Sequence, residues 1–80
     1  MGAWFARFLS EKGHEVVISG RSSRKCRIVE RQCPVSVARD NIAAVDGADL
    51  VIISVLLQDF EEVVKEIAPH IGSGQKVIDI

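Results

Sequence analysis

The residues best suited to chemistry in this 80-residue chain are a glycine at position 2 and the run Ser19-Gly20-Arg21-Ser22-Ser23-Arg24-Lys25. Nineteen positions separate Gly2 from Arg21. In a strand–turn–helix–strand unit, glycines of the first turn let backbone N–H groups approach a pyrophosphate at the helix N-terminus. About twenty residues later, the end of the second strand meets the adenosine ribose. An acid there accepts the ribose hydroxyls, whereas basic residues accommodate a 2′-phosphate. No Asp or Glu lies between Ser19 and Lys25. Arg21 could fork onto a phosphate or stack on adenine, Ser22 and Ser23 offer hydroxyls, and Arg24 and Lys25 add charge. This pattern favours NADP over NAD. Arg21, Arg24, Lys25, Arg27 and Arg31 equally suit a solvated turn and helix face, and spacing alone does not separate the two readings.

The elements that must position these residues follow from periodicity. Trp4, Phe5, Phe8 and Leu9 share one face of a helix over Ala3–Lys12, while Arg7, Ser10, Glu11 and Lys12 take the other. Gly13 suits the position just past the helix end. His14–Ser19 reads as a short strand with a β-branched centre. Ser22 or Ser23 caps a helix over Arg24–Gln32, stopped by Pro34, and Val35–Ala38 is a further short strand. Asp40–Gly47 is polar, with a helical turn around Ile42–Val45, and Asp40, Asp46 and Asp49 suit turns and caps. The unbroken apolar run within Asp49–Val55 marks a central parallel strand covered on both faces.

A second strong helix follows, with Asp59 at its N-cap and Glu62 three residues on. Phe60, Val63, Val64, Ile67 and Ile71 form its apolar stripe, and Pro69 ends or distorts it. Lys76–Ile80 begins one more strand. Strands alternating with helices imply βαβ units and a parallel sheet. The expected architecture is α/β: a Rossmann-like parallel sheet with flanking helices, lacking the first strand, in a partial NAD(P)-binding domain over residues 1–80.

Composition narrows the function classes. A net charge of −1 provides no global positive field for nucleic acid or a membrane surface. The apolar run Leu50–Leu57 falls well short of the ~20 residues that cross a bilayer. The N-terminus lacks a signal-peptide pattern, so the expected compartment is the cytoplasm. On a helix, Cys26 and Cys33 would stand about 10 Å apart, too far for a disulfide. They lack CxxC spacing, and His14 and His70 are distant in sequence, so two reduced thiols are expected and no metal site.

The stretches WFARFLSEKGHEVVISGR, ADLVIISV and VVKEIAPHI resemble the NADP-binding half of archaeal-type prephenate dehydrogenases, within the broad class of 6-phosphogluconate dehydrogenase-like reductases. The resemblance runs over nearly the whole chain. In that family the first helix follows a strand and a turn like GGxGGMG, and Met1-Gly2 matches its tail. It implies that Gly2 is the third fingerprint glycine and that Arg21 and Ser22 contact the NADP phosphate. Ser54 and Val55 would lie beside the nicotinamide ribose. It also implies oxidative decarboxylation of prephenate, in tyrosine biosynthesis, with hydride passing to the nicotinamide.

Two departures stand against it. Leu56-Leu57 follows Ser54-Val55 where the family usually has a proline, and the family's catalytic histidine has no counterpart here. His14 belongs at the sheet end opposite the expected site, and His70 is expected to be exposed, so no catalytic residue is assigned. A deazaflavin-dependent NADP reductase-like domain is the nearest enzymatic alternative. The other alternative is a non-catalytic fragment that persists by self-association through strand edges left open without a first strand.

Overall fold

The computed structural model describes residues 2–80; Met1 lies outside the described residues. Helix α1 spans Gly2–Glu11 and is closed by a Schellman arrangement. The His14 N–H donates to the Leu9 carbonyl and the Gly13 N–H to the Ser10 carbonyl, each at 3.1 Å. Gly13 adopts φ 88°, a left-handed conformation that costs glycine little, which explains its place after the helix.

The buried face of α1 differs from the expected one. Ala6 and Ser10 are buried and Phe5 and Leu9 half-buried, whereas Trp4 remains 61% exposed and Phe8 41%. At about 100° per residue, Gly2, Ala6 and Ser10 lie on one line, and Trp4 and Phe8 project from nearly the opposite side. Small residues let the helix backbone approach its neighbours, so the line of least volume faces inward. The Ser10 hydroxyl satisfies itself by donating to the Arg7 carbonyl at 2.9 Å. Outside, Trp4 and Phe8 stack with centroids 5.2 Å apart, and the Lys12 ammonium sits 5.6 Å from the Phe8 centroid.

Strand β1 (Val16–Ile18) leads into helix α2 (Ser23–Gln32), which returns the chain to β2 (Val35–Val37). β1 and β2 are parallel, with Val16 opposite Val35 and Ile18 opposite Val37. Helix α3 (Asn41–Val45) is capped by Asp40, whose carboxylate accepts from the Ala43 N–H at 2.8 Å. Strand β3 (Leu50–Ile53) and strand β4 (Lys76–Asp79) form a second parallel pair. Helix α4 (Leu57–Ile67) and a 3₁₀ turn over Ala68–His70, with Pro69 inside it, connect them.

Asp59 is not the N-cap of α4. The helix begins two residues earlier, with Leu56 at the cap making no side-chain hydrogen bond, and Asp59 occupies the third helical position. Leu56 is extended (φ −63°, ψ 145°), so chain geometry rather than a capping side chain starts the helix. A carboxylate in the first turn still complements the positive end of the helix dipole.

The expected parallel α/β architecture is present as two separate two-stranded sheets, β1–β2 and β3–β4. Each has its own apolar cluster. Ala6, Cys33 and Val35 gather Val16, Ile18 and Val29 around the first. Val45, Val51, Ile53 and Ile67 gather Ala48, Phe60, Val63, Val64 and Ile71 around the second, which is the expected stripe of α4. β3 is not covered on both faces: Val51 and Ile53 are buried, but Leu50 is exposed and Ile52 only half-buried. With one hydrogen-bonded neighbour each among the described residues, β1 and β3 keep an unpaired edge.

The accessible surface is 6114 Å², against about 4,800 Å² expected for a compact chain of this mass. The radius of gyration of 11.9 Å is nevertheless close to the ~11.6 Å of a compact domain of this length. The excess surface is therefore internal relief, not elongation.

Substituting Ile67→Ala, at a site only 3% exposed, should cost about 2–5 kcal/mol in urea unfolding of the protein. Trp4→Ala should cost less than about 1 kcal/mol, because its side chain lies largely in solvent against Phe5 and Phe8. Equal costs at the two positions would contradict the inward line drawn for α1.

Candidate functional site

The segments following β1, β2 and β3 are drawn together by contacts far apart in sequence. Ser19, just past β1, donates its hydroxyl to Asn41 Oδ1 at 2.7 Å, at the start of α3. The Asn41 amide nitrogen then donates to Glu66 Oε1 on α4 at 2.8 Å. Arg21 Nη2 donates to Asp59 Oδ1 in the first turn of α4. These polar links join the β1–β2 half to the β3–β4 half, and they gather the loops at the carboxyl ends of three strands. In open α/β sheets that is where ligands bind.

Gly2 and Ser54 meet at this end. A Cβ built on Gly2 would stand 3.2 Å from Ser54 Oγ and 3.3 Å from Ser54 Cβ, tighter than ordinary contact. The absence of a side chain at position 2 therefore lets the start of α1 reach the segment after β3. The first N–H groups of a helix have no partners within it. α1 also carries no acidic residue in its first turn, so its positive end is not offset from within the helix. Ser54 and Val55 are both exposed beside it.

The remaining candidates divide by direction. Arg21 is exposed, with one guanidinium nitrogen on Asp59. Ser22 caps α2 by accepting from the Lys25 N–H at 3.2 Å, which engages its side-chain oxygen. Ser23, Arg24 and Lys25 are exposed in the first turn of α2. The structure thus brings Gly2 to Ser54 and ties Arg21 to α4. It leaves Ser23, Arg24 and Lys25 exposed at the start of α2.

Positive charge is concentrated although the chain is nearly neutral. Six of the ten basic residues but one of the eleven acidic residues fall between positions 21 and 39. Among the described residues, Arg24, Lys25, Arg27 and Arg31 form no ion pair, so this segment presents unneutralised charge. Cys26 and Cys33 are buried free thiols, and the Cys33 thiol donates to the Val29 carbonyl at 3.3 Å. His14 and His70 are exposed. No group of three or more metal-ligating side chains occurs among the described residues, and none of their helices is long and apolar enough to cross a membrane.

Sequence reasoning missed Asp59 as the partner of Arg21 and missed Asn41 altogether. Their contacts span 38, 22 and 25 residues, and no local pattern announces them.

A family profile described as "NADP oxidoreductase coenzyme F420-dependent" matches residues 1–80. A Methanocaldococcus jannaschii protein described as a "probable arogenate/prephenate dehydrogenase" is 40% identical over all 80 residues of this chain. The chain spans 18% of that relative's length. No solved structure matches it.

Gly2→Ala should couple energetically to position 54. The added Cβ crowds both Ser54 Cβ and Oγ, so Ser54→Gly should relieve the strain and Ser54→Ala should relieve only part of it. A double-mutant cycle by urea unfolding should give at least ~0.5 kcal/mol of interaction between Gly2→Ala and Ser54→Gly. Additive effects would mean that the two positions do not touch.

Proposed function

Since this chain belongs to the coenzyme F420-dependent NADP oxidoreductase family, we propose that it forms the NADP-binding part of a prephenate dehydrogenase-like oxidoreductase. The observation that carries the reading is the convergence of the Gly2 helix start, the Ser54 segment and the exposed Arg21 guanidinium at one end of the strands. In this reading Gly2 and the first N–H groups of α1 hold the pyrophosphate. Ser54 and Val55 border the nicotinamide ribose.

Arg21 takes the 2′-phosphate, with Ser22, Ser23, Arg24 and Lys25 supplying hydroxyls and charge around it. Its planar fork suits phosphate oxygens, and an always-charged group needs no proton transfer to bind. The Gly2–Ser54 approach fits a nucleotide turn, because the Ser54 side chain packs against the helix start where a Cβ on residue 2 would crowd it. When bound, the nicotinamide supplies the hydride acceptor, and the chain's own residues bind and orient it. None of these residues is assigned a catalytic role.

The description of the M. jannaschii relative as a probable arogenate/prephenate dehydrogenase supports prephenate as the substrate. In this proposal the reaction is its oxidative decarboxylation, a step of tyrosine biosynthesis, and the compartment is the cytoplasm. Prephenate-dependent formation of NADPH by the full-length protein tests this. Reduction of a deazaflavin in place of prephenate turnover would favour the alternative NADP reductase.

Arg21→Ala should weaken NADP binding by roughly 10- to 100-fold, the loss expected for a charge-assisted hydrogen bond, while leaving NAD nearly unchanged. Fluorescence titration of the full-length protein measures both. Equal losses for the two cofactors would remove the 2′-phosphate assignment.

The unpaired edges of β1 and β3 favour a second property, self-association by strand pairing. Light scattering on the 80-residue chain should show dimers or larger species in a concentration-dependent equilibrium. A monomer at all concentrations would count against edge pairing.

A further inference from the structure

The end of β1 carries no acidic residue of its own, yet a carboxylate stands there. Asp59 reaches it from the first turn of α4, across 38 residues of sequence. The two partners are held differently. The Asp59 side chain is 15% exposed and sits on a helix, whereas the Arg21 side chain is 75% exposed and projects from a turn. Among the described residues only one guanidinium nitrogen is engaged, which leaves Nε and Nη1 to another acceptor. The carboxylate is therefore the enclosed member of the pair and the guanidinium the solvent-exposed one.

We propose that Asp59 sets cofactor discrimination by competing with the 2′-phosphate for Arg21. The proposal rests on the reading that Arg21 receives this phosphate. A 2′-phosphate on the open edge of Arg21 brings its negative charge close to the Asp59 carboxylate. To bind fully, the guanidinium must turn from Asp59 or share its charge between two anions. A ribose 2′-hydroxyl meets no such repulsion. Asp59 thus lowers the preference for NADP below what the basic run Arg21–Lys25 would otherwise produce, and it acts on the ratio of affinities rather than on binding as a whole. Glu61, the neighbouring acid on α4, is already paired with Lys65 at 3.0 Å, so Asp59 is the carboxylate that faces Arg21.

The test is cofactor affinity of the full-length protein, measured for NADP and NAD in parallel. Asp59→Asn keeps a hydrogen-bond acceptor for Arg21 and removes the charge. It should tighten NADP by roughly three- to tenfold, as expected for deleting one like charge near a partly exposed site, and leave NAD within about twofold. Asp59→Glu, which retains the charge, should keep a ratio near that of the unaltered protein. This guards against a merely structural effect at the start of α4. In an Arg21→Ala background, Asp59→Asn should change the ratio clearly less, because only the direct repulsion between Asp59 and the phosphate remains.

If Arg21→Ala lowers the NADP preference but Asp59→Asn leaves it unchanged or lowers it further, the competition is overturned and the phosphate assignment stands. An Asp59→Asn effect of undiminished size without Arg21 would likewise overturn it. If Arg21→Ala leaves the ratio untouched, the phosphate assignment and the competition both fall.

Discussion

Parallel strand pairing is the constraint on which the rest of this structure depends. Two parallel strands cannot be joined by a tight turn, so each pair needs a helix to carry the chain back. α2 performs that return between β1 and β2, and α4 with its 3₁₀ turn performs it between β3 and β4. The return delivers each strand's outgoing segment to the end from which a helix must start. Ser22, Ser54 and Asp59 occupy such segments. Their functional potential is therefore a by-product of topology, because helix N-termini and strand carboxyl ends occur at the same place.

The two halves have separate cores, so what joins them is largely polar. The Ser19–Asn41–Glu66 chain and the Arg21–Asp59 pair cross between them. Part-buried and exposed links of this kind contribute modestly, about 0.5–1.5 kcal/mol for a typical hydrogen bond and up to ~1 for an exposed ion pair. Such links orient the halves more than they stabilise them. Gln75 plays a comparable part within the second half. Its amide nitrogen donates to the Val45 and Ala48 carbonyls, each at 2.7 Å, and its oxygen accepts from the Gly72 N–H at 2.6 Å. One side chain thereby fixes the loop before β4 to the turn before β3.

Much of the fold was legible locally. The stripe of α4, the caps by Ser22 and Asp40, the stop after Gly13 and the order of strands and helices each follow from periodicity or backbone chemistry within a few residues. The misjudged features share a cause. Trp4 and Phe8 looked like core residues because size and apolarity suggest burial, but inward approach of α1 is decided by the small line Gly2–Ala6–Ser10. Asp59 looked like a cap because it precedes an apolar stripe, but α4 starts earlier under the extended geometry of Leu56. The run through β3 looked doubly covered because it is apolar throughout, yet how many neighbours a strand gains is a property of the sheet.

The candidate site was legible in its residue types more than in its arrangement. By itself, the sequence determined the parallel α/β class, the glycine-to-arginine spacing and the basic character of the segment after β1, since these depend on order and local chemistry. Only the tertiary structure decided that Gly2 abuts Ser54 and that Arg21 answers to Asp59. Those are relations that the packing of α1 and the meeting of two sheet halves set. Both join residues separated by tens of positions, and no local pattern encodes that.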